Sequence, residues 1–116
     1  MKDKLNQVFD IIAELNKELP DQMTAFQNFL AASERPSVLD VKYKELISIA
    51  LSITAQCEWC IAFHVKKAFA LGATGQEILY AASLAILMHG GPALLYMIPL
   101  VDSLDEFELE EVSVEM

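Results

Sequence analysis

Four residues within a span of 20 carry the side chains best suited to chemistry: Glu45, Cys57, Cys60 and His64. Two thiols at Cys-x-x-Cys spacing can close into a disulfide and open again. On a helix, Cys57 and Cys60 lie three positions apart and Cys60 and His64 four, so all three share one face. The sequence therefore predicts a thiol redox centre on this face.

The surroundings of the thiols favour their ionised form. We predict that Cys57 lies in the first turn of its helix, where exposed backbone N–H groups and the helix dipole stabilise an anion. The neighbouring imidazole of His64 adds to this effect. Glu45 lies on the preceding helix and interrupts an apolar region. If its carboxylate faces the neighbouring helix, His64 is its natural partner, and the pair would act as an oriented base.

Two other interpretations of these residues stay open. Cys57, Cys60 and His64 are acceptable zinc ligands, and Glu45 or His89 could be a fourth. Structural zinc usually draws on two separated ligand pairs, however, and the chain has no second pair of cysteines. The cysteines could also be small core residues with His64 at the surface. Thiol–disulfide chemistry is favoured over both, and His89 is better explained by the dipole of the helix that it ends.

The elements that position these residues are all predicted to be helices, because apolar residues recur at helical spacing and no segment alternates with period two. We expect an all-α, compact domain of about six helices in which an antiparallel pair carries the site. The predicted helices are residues 2–18, ended by Pro20; a second capped by Asp21; a third from Asp40 through 42–54; a fourth from Cys57 to Leu71; a fifth from Thr74 or Gly75 to His89; and a sixth from Ala93 to about Leu104, kinked or split by Pro99. A loop is expected from Ser33 to Ser37.

Length and charge set the domain organisation. At 116 residues the chain is predicted to be a single domain over residues 1–104, followed by an acidic, disordered tail over residues 105–116. The last 15 residues hold seven acidic residues and no Lys or Arg, whereas residues 1–101 hold ten acids against eight bases. Because no basic stripe offsets the net charge of -9, a nucleic-acid partner is not expected.

The chain is unusually apolar, with 54% hydrophobic residues. The stretch from Ile78 to Leu100 lacks Asp, Glu, Lys and Arg and is long enough to span a bilayer. Gly90, Gly91 and Pro92 divide it, so we predict instead a buried helical hairpin at the core of an oligomer and no membrane partner. No export signal is recognisable at the start of the chain, which predicts a cytoplasmic location.

The pattern E-x11-C-x2-C-x3-H, set in KELISIALSITAQCEWCIAFHVKKAFALGATGQEILYAASLAILMHGG, resembles the alkylhydroperoxidase AhpD-like branch of the carboxymuconolactone decarboxylase family. The resemblance covers somewhat under half of the chain and implies an all-α fold that assembles as a homo-trimer or homo-hexamer. It implies peroxidase or disulfide reductase chemistry on a hydroperoxide or disulfide substrate, without haem, flavin or metal. An external thiol or protein reductant would restore the enzyme.

The resemblance also implies a role for each residue. Glu45 and His64 would form a proton relay, and Cys57 and Cys60 the redox pair. Cys60, adjacent to His64, would receive the activation, and Cys57 would meet the disulfide partner or resolve the bond; the reverse order is also open.

One position departs from the family pattern. Better-studied members carry a His between the cysteines that joins the relay, whereas this chain has Glu58 and Trp59. Trp59 cannot shuttle protons, and Glu58 adds negative charge that opposes thiolate formation. Two alternatives therefore remain: a carboxymuconolactone decarboxylase-like enzyme, and a non-catalytic oligomeric binding protein that retains the scaffold. The decarboxylase branch matches less well because its members do not rely on a Cys-x-x-Cys.

Overall fold

Every regular element in the described residues is a helix, which confirms the all-α prediction. The structure is a computed structural model that describes the backbone of residues 1–115 and the side chains of residues 1–108. Its helices are α1 (Lys2–Glu18), α2 (Pro20–Glu34), α3 (Val41–Thr54), α4 (Glu58–Ala70), α5 (Gly75–His89), α6 (Gly91–Leu95) and α7 (Met97–Glu115).

The core lies between α3, α4, α5 and α7. Helix α3 packs against α4 and α5, and α4 also packs against α7. Apolar residues at helical spacing on each of these helices are fully buried: Ile49 and Ile53, Ile61 and Val65, Ile78, and Leu100 and Phe107. The predicted pair α3 and α4 is thus anchored in the core, and it carries all four candidate residues.

The turn between α3 and α4 places Cys57. Gln56 adopts a left-handed conformation with φ of 57°. The N–H of Gln56 donates to the carbonyl of Ile53 at 3.0 Å, and the N–H of Cys57 donates to the carbonyl of Ser52 at 3.1 Å. These two bonds form a Schellman motif that closes α3. Cys57 then serves directly as the N-cap of α4, one residue before the helical turn in which we predicted it.

Two helix boundaries differ from the prediction because of proline. Helix α2 begins at Pro20 rather than after Asp21, since proline at the first helical position loses no hydrogen bond. The last predicted helix is split into α6 and α7 at Tyr96. Pro99 lies in the first turn of α7, where its missing N–H would have had no partner within the helix.

Helix α7 continues into the segment predicted to be a disordered tail. Residues 105–108 are helical, and Phe107 is fully buried. Leu100, Leu104 and Phe107 fall on one face at helical spacing, and all three are buried. The prediction of disorder is therefore wrong for residues 105–108. The side chains of residues 109–116, to which it also applies, lie outside the described residues.

The long uncharged stretch is divided between α5, α6 and the first turn of α7. Gly90, with φ of 66°, separates α5 from α6 in a conformation that glycine adopts readily. Over the described part of the chain, no helix combines the length and the apolar character needed to cross a membrane.

Candidate redox site

Cys57 and Cys60 are joined by a disulfide at the start of α4. Their Cα atoms lie 5.2 Å apart, within the normal range for a disulfide. The N–H of Cys60 donates to Sγ of Cys57 at 3.1 Å, in the manner of an N-cap. After reduction, the same amide and the positive end of the helix dipole would stabilise a thiolate on Cys57.

Glu45 and His64 form a hydrogen-bonded pair across α3 and α4. Only 2% of Glu45 is exposed. Nδ1 of His64 lies 2.6 Å from Oε2 of Glu45. Because a carboxylate can only accept, we assign the proton of the neutral imidazole to Nδ1, which leaves a lone pair on Nε2. The geometry is that of a base oriented by a buried acid.

Two further charged residues complete the pair, and sequence analysis missed both. Nζ of Lys67 lies 3.5 Å from Oε1 of Glu45 and also forms an ion pair with Glu34. Partial burial acts to lower the pKa of Lys67, but the hydrogen bond to Glu34 and the charges of both carboxylates together raise it above its ordinary value. Lys67 could have been suspected, since it lies one helical turn beyond His64. Glu34 gave no signal, because it falls in a segment predicted to be a loop.

An apolar groove of about 290 Å³ runs along the disulfide between α1, α2 and α4. The residues of α4 that line it are Trp59, Cys60, Phe63 and His64, and the opposite walls are Val8, Ile12, Phe26, Leu30 and Glu34. Cys60 and His64 therefore face the same space. A substrate in this groove would meet one sulfur and the imidazole within mostly hydrocarbon surroundings.

A second cavity, the Glu45 pocket, opens on the other side of the Glu45–His64 pair. It measures about 370 Å³ and is lined by Glu34, Lys44, Glu45, Ser48 and His64, together with Leu30, Ser33, Leu39 and Ile47. Leu30, Glu34 and His64 line both cavities. The Glu45–His64 pair thus lies between an apolar groove that reaches Cys60 and a second pocket that reaches Glu45.

The two residues between the cysteines are held by α1. Nε1–H of Trp59 donates to Oε1 of Gln7 at 2.8 Å. Nζ of Lys4 lies 4.8 Å from the centroid of the Trp59 ring and 3.6 Å from Oε2 of Glu58. Lys4 therefore partly neutralises the negative charge that Glu58 places beside the thiols.

The zinc interpretation gains no support from the geometry. The sulfurs of Cys57 and Cys60 are bonded to each other. Among the residues that the structure describes, no group of three or more His, Cys, Asp and Glu side chains is arranged to hold a metal ion. His89 is exposed in the last turn of α5, where the helix dipole favours a cation.

Comparison with known proteins places the chain among relatives of the same fold. Residues 18–103 match the model of the carboxymuconolactone decarboxylase family. An uncharacterized protein of Cupriavidus necator is 30% identical over 83% of this chain and 85% of its own length. Uncharacterized protein 4 in the cox locus of Paracoccus denitrificans is 37% identical over 69% of this chain and 75% of its own.

Two solved structures are similar over nearly the whole chain. A carboxymuconolactone decarboxylase family protein of Legionella pneumophila superposes with a TM-score of 0.88 at 35% identity, covering 91% of this chain and 95% of that one. A family protein of Thermotoga maritima, for which involvement in an antioxidative response has been suggested, superposes with a TM-score of 0.75 at 28% identity. This second comparison covers 90% of this chain and 96% of the other.

Proposed function

The chain belongs to the carboxymuconolactone decarboxylase family, and from this premise we propose that it is a thiol-dependent oxidoreductase of the alkylhydroperoxidase or protein disulfide reductase type. Its redox pair is Cys57 and Cys60, and its proton relay is Glu45 and His64. One observation carries the proposal: Cys60, half of a disulfide, lines an apolar groove together with an imidazole that is backed by a buried carboxylate.

With a hydroperoxide, the reaction begins from the reduced pair. Nε2 of His64 accepts the proton of the Cys60 thiol, and the thiolate attacks the terminal peroxide oxygen. The O–O bond breaks, the leaving alkoxide takes up a proton to become the alcohol, and Cys60 becomes a sulfenic acid. The Cys57 thiol then attacks this sulfur, a water molecule leaves, and the disulfide forms.

With a disulfide substrate, the same pair exchanges thiols instead. The Cys60 thiolate attacks one sulfur of the substrate, and the other sulfur leaves as a thiol. Cys57 then displaces the bound half and closes the disulfide. In either case an external dithiol or protein reductant reduces the disulfide and returns Cys57 and Cys60 to thiols. The reductant is itself oxidised to a disulfide.

The positions of the two cysteines support the roles that we propose for them. Cys60 lines the groove with His64, which supports its role as the attacking thiol. Cys57 receives the amide hydrogen bond at the helix start, which stabilises it as the resolving thiolate.

We also propose that the protein is a homo-trimer or homo-hexamer that acts in the reducing cytoplasm. A broad set of large apolar side chains on α5, α6 and α7 is exposed in the single chain: Leu79, Tyr80, Leu84, Leu87, Met88, Leu94, Leu95, Ile98 and Val101. An apolar surface of this extent is typical of an interface between subunits. Light scattering on the purified protein gives the mass of the assembly.

Turnover with an external dithiol tests the activity. We expect the wild-type protein to consume dithiol when either a hydroperoxide or a model disulfide is supplied. Cys60→Ser should abolish this consumption, and Cys57→Ser should slow it because the oxidised Cys60 can then be reduced only by the external dithiol. Ser37→Ala, an exposed change in a loop, should change neither rate. If the wild-type protein and both cysteine variants show the same background rate, the chain is not an oxidoreductase of this type.

A further inference from the structure

The ion pair that Lys67 makes with Glu45 has no part in the chemistry described above, yet it touches the relay directly. Oε2 of Glu45 is bound to His64, and Oε1 lies 3.5 Å from Nζ of Lys67. Each oxygen of the carboxylate therefore has a partner of its own. Lys67 contacts neither sulfur and does not line the apolar groove.

Burial makes this second partner necessary. The side chain of Glu45 is 3% exposed, and a carboxylate so removed from water is stable only when it is paired. Burial of this carboxylate without a nearby cation would favour an additional proton on Glu45 or on its imidazole partner. A protonated Glu45 would donate to Nδ1 and drive the imidazole proton to Nε2. In both cases Nε2 would lose its lone pair.

We infer that Lys67 is a positioning residue: its cation holds Glu45 as a carboxylate, which keeps the imidazole proton on Nδ1 and leaves Nε2 of His64 free to accept a thiol proton. The use of that lone pair rests on the proposed function, whereas the protonation state itself does not. The charged groups that face Glu45 are His64 and Lys67 from α4, Glu34 from α2 and Lys44 from its own helix.

Glu34 and Lys44 determine how closely the cation of Lys67 is held to the carboxylate of Glu45. Nζ of Lys44 donates to the carbonyls of Ser33 at 2.8 Å and Arg35 at 2.9 Å, so its cation is directed to the end of α2. Glu34, one residue from each of these carbonyls, is ion-paired with Lys67. The end of α2 therefore restrains Lys67 beside Glu45, and we expect Glu34→Gln to have a smaller effect than the loss of Lys67.

The direct test measures the protonation of His64 in the resting disulfide form. The ¹⁵N shift of Nε2 distinguishes a nitrogen with a lone pair from a protonated one. At pH 7 we expect a largely unprotonated Nε2 in the wild-type protein and in Lys67→Arg, and a largely protonated one in Lys67→Met. Lys17→Met, an exposed change on α1, serves as the matched control. A wild-type Nε2 shift in folded Lys67→Met would overturn the inference.

The rate of thiol oxidation gives a second readout. We expect Lys67→Met to lower the rate of disulfide formation by about tenfold, because a shift of one pKa unit changes the population of unprotonated Nε2 by that factor. Lys67→Arg should stay within about threefold of the wild-type rate because it keeps the charge. An absence of oxidation in the wild-type protein would remove the proposed function and leave the NMR result standing. Equal rates in Lys67→Met and the wild-type protein would count against the role of Lys67.

Discussion

Helices α3 and α4 and helix α2 contribute to the same site in different ways. Helices α3 and α4 each bury five residues, whereas α2 buries none. The groups that would move protons and electrons thus lie on helices fixed by the core. The opposite wall of the groove lies on a helix that is tied at its end by polar contacts to Lys44 and Lys67. The candidate redox residues and the α2 wall of the groove are therefore built on separate supports.

Helix α2 and helices α3 and α4 differ in how freely their residues can be substituted. Residues of α2 such as Phe26 can change the fit of a substrate without displacing the relay, because nothing in the core depends on them. Residues of α3 and α4 cannot change so freely, since the same two helices that bury Ile53 and Ile61 also orient Glu45 and His64. Substitutions in α2 should therefore differ in their effects from substitutions in α3 and α4.

The largest effect is expected where the core and the site share a helix. Ile61 follows Cys60 and is fully buried. Ile61→Ala should lower the free energy of unfolding by about 2–5 kcal/mol, because it leaves a cavity in the core. Chemical denaturation of the disulfide form measures this value. The matched change on α2, Phe29→Ala, should cost no more than about 0.5 kcal/mol because Phe29 is 67% exposed. Equal losses from the two variants would contradict the division.

The next largest effect is expected on the rate of the reaction. Glu45→Gln keeps the size of the side chain and removes the charge that orients His64. We expect the rate of disulfide formation to fall by about 100-fold, the low end of what an oriented base contributes. Stopped-flow measurement with a hydroperoxide gives this rate, and Glu14→Gln, an exposed change on α1, is the control. A rate within twofold of the wild-type value would exclude Glu45 from the relay.

A smaller effect is expected from the groove wall. Phe26 lines the apolar groove, whereas Phe29 on the same helix does not. Phe26→Ala should raise KM for a bulky aromatic hydroperoxide by about fivefold, as expected for lost apolar contact, and leave the rate with hydrogen peroxide unchanged. Phe29→Ala should change neither. If Phe26→Ala slows both peroxides equally, the groove-facing part of α2 supports the relay as well as the substrate.

The smallest effect is expected from an ion pair between α3 and α5 that does not touch the site. Nζ of Lys42 lies 2.9 Å from Oε2 of Glu77. Their hydrogen bond, and after it their Coulombic attraction, raises the pKa of Lys42 above its ordinary value of 10.5. For Glu77, the same hydrogen bond and then the backbone hydrogen bond from Thr74 lower the pKa below its ordinary value of 4.5.

The signs of these shifts define a pH window. The contribution of Glu77 is present above pH 4.5 and is lost as the pH falls through its lowered pKa. The contribution of Lys42 is present below pH 10.5 and is lost as the pH rises through its raised pKa. The melting temperature of Lys42→Met should therefore differ from wild type by a small amount between these limits and converge with it in acid. Since the pair is partly exposed to solvent, added salt should shrink the difference. A difference that persists at pH 2 would rule out this ion pair as its source.

Much of the fold could be predicted from the sequence because its signals are local. Helix α5 begins at Gly75, directly after Thr74, which forms a capping box with Glu77, and it ends at His89 before a glycine, as the residue types indicate. Asp40 caps α3 by accepting from the N–H of Lys42. Spacing alone also indicated that Cys57 and Cys60 lie close enough to bond.

What could not be predicted depends on contacts distant in sequence. Glu34 and Lys67 are 33 positions apart, and only the packing of α2 beside α4 brings them together. The groove has the same origin, since Phe26 and Cys60 line one cavity only through the return of α2 along α1. The burial of Phe107 could not be predicted because acidic residues surround it in the sequence. Their composition indicated disorder more strongly than the apolar face of α7, which packs against α4, indicated a helix.

The central claim is that Cys57 and Cys60 cycle between dithiol and disulfide, with Cys60 attacking first. Mass spectrometry of the reduced protein after one equivalent of hydroperoxide tests it most directly. We expect the wild-type chain to lose two hydrogen atoms and both free thiols, Cys57→Ser to gain one oxygen atom on Cys60, and Cys60→Ser to react only slowly. An unchanged mass and two free thiols in the wild-type protein would contradict the claim.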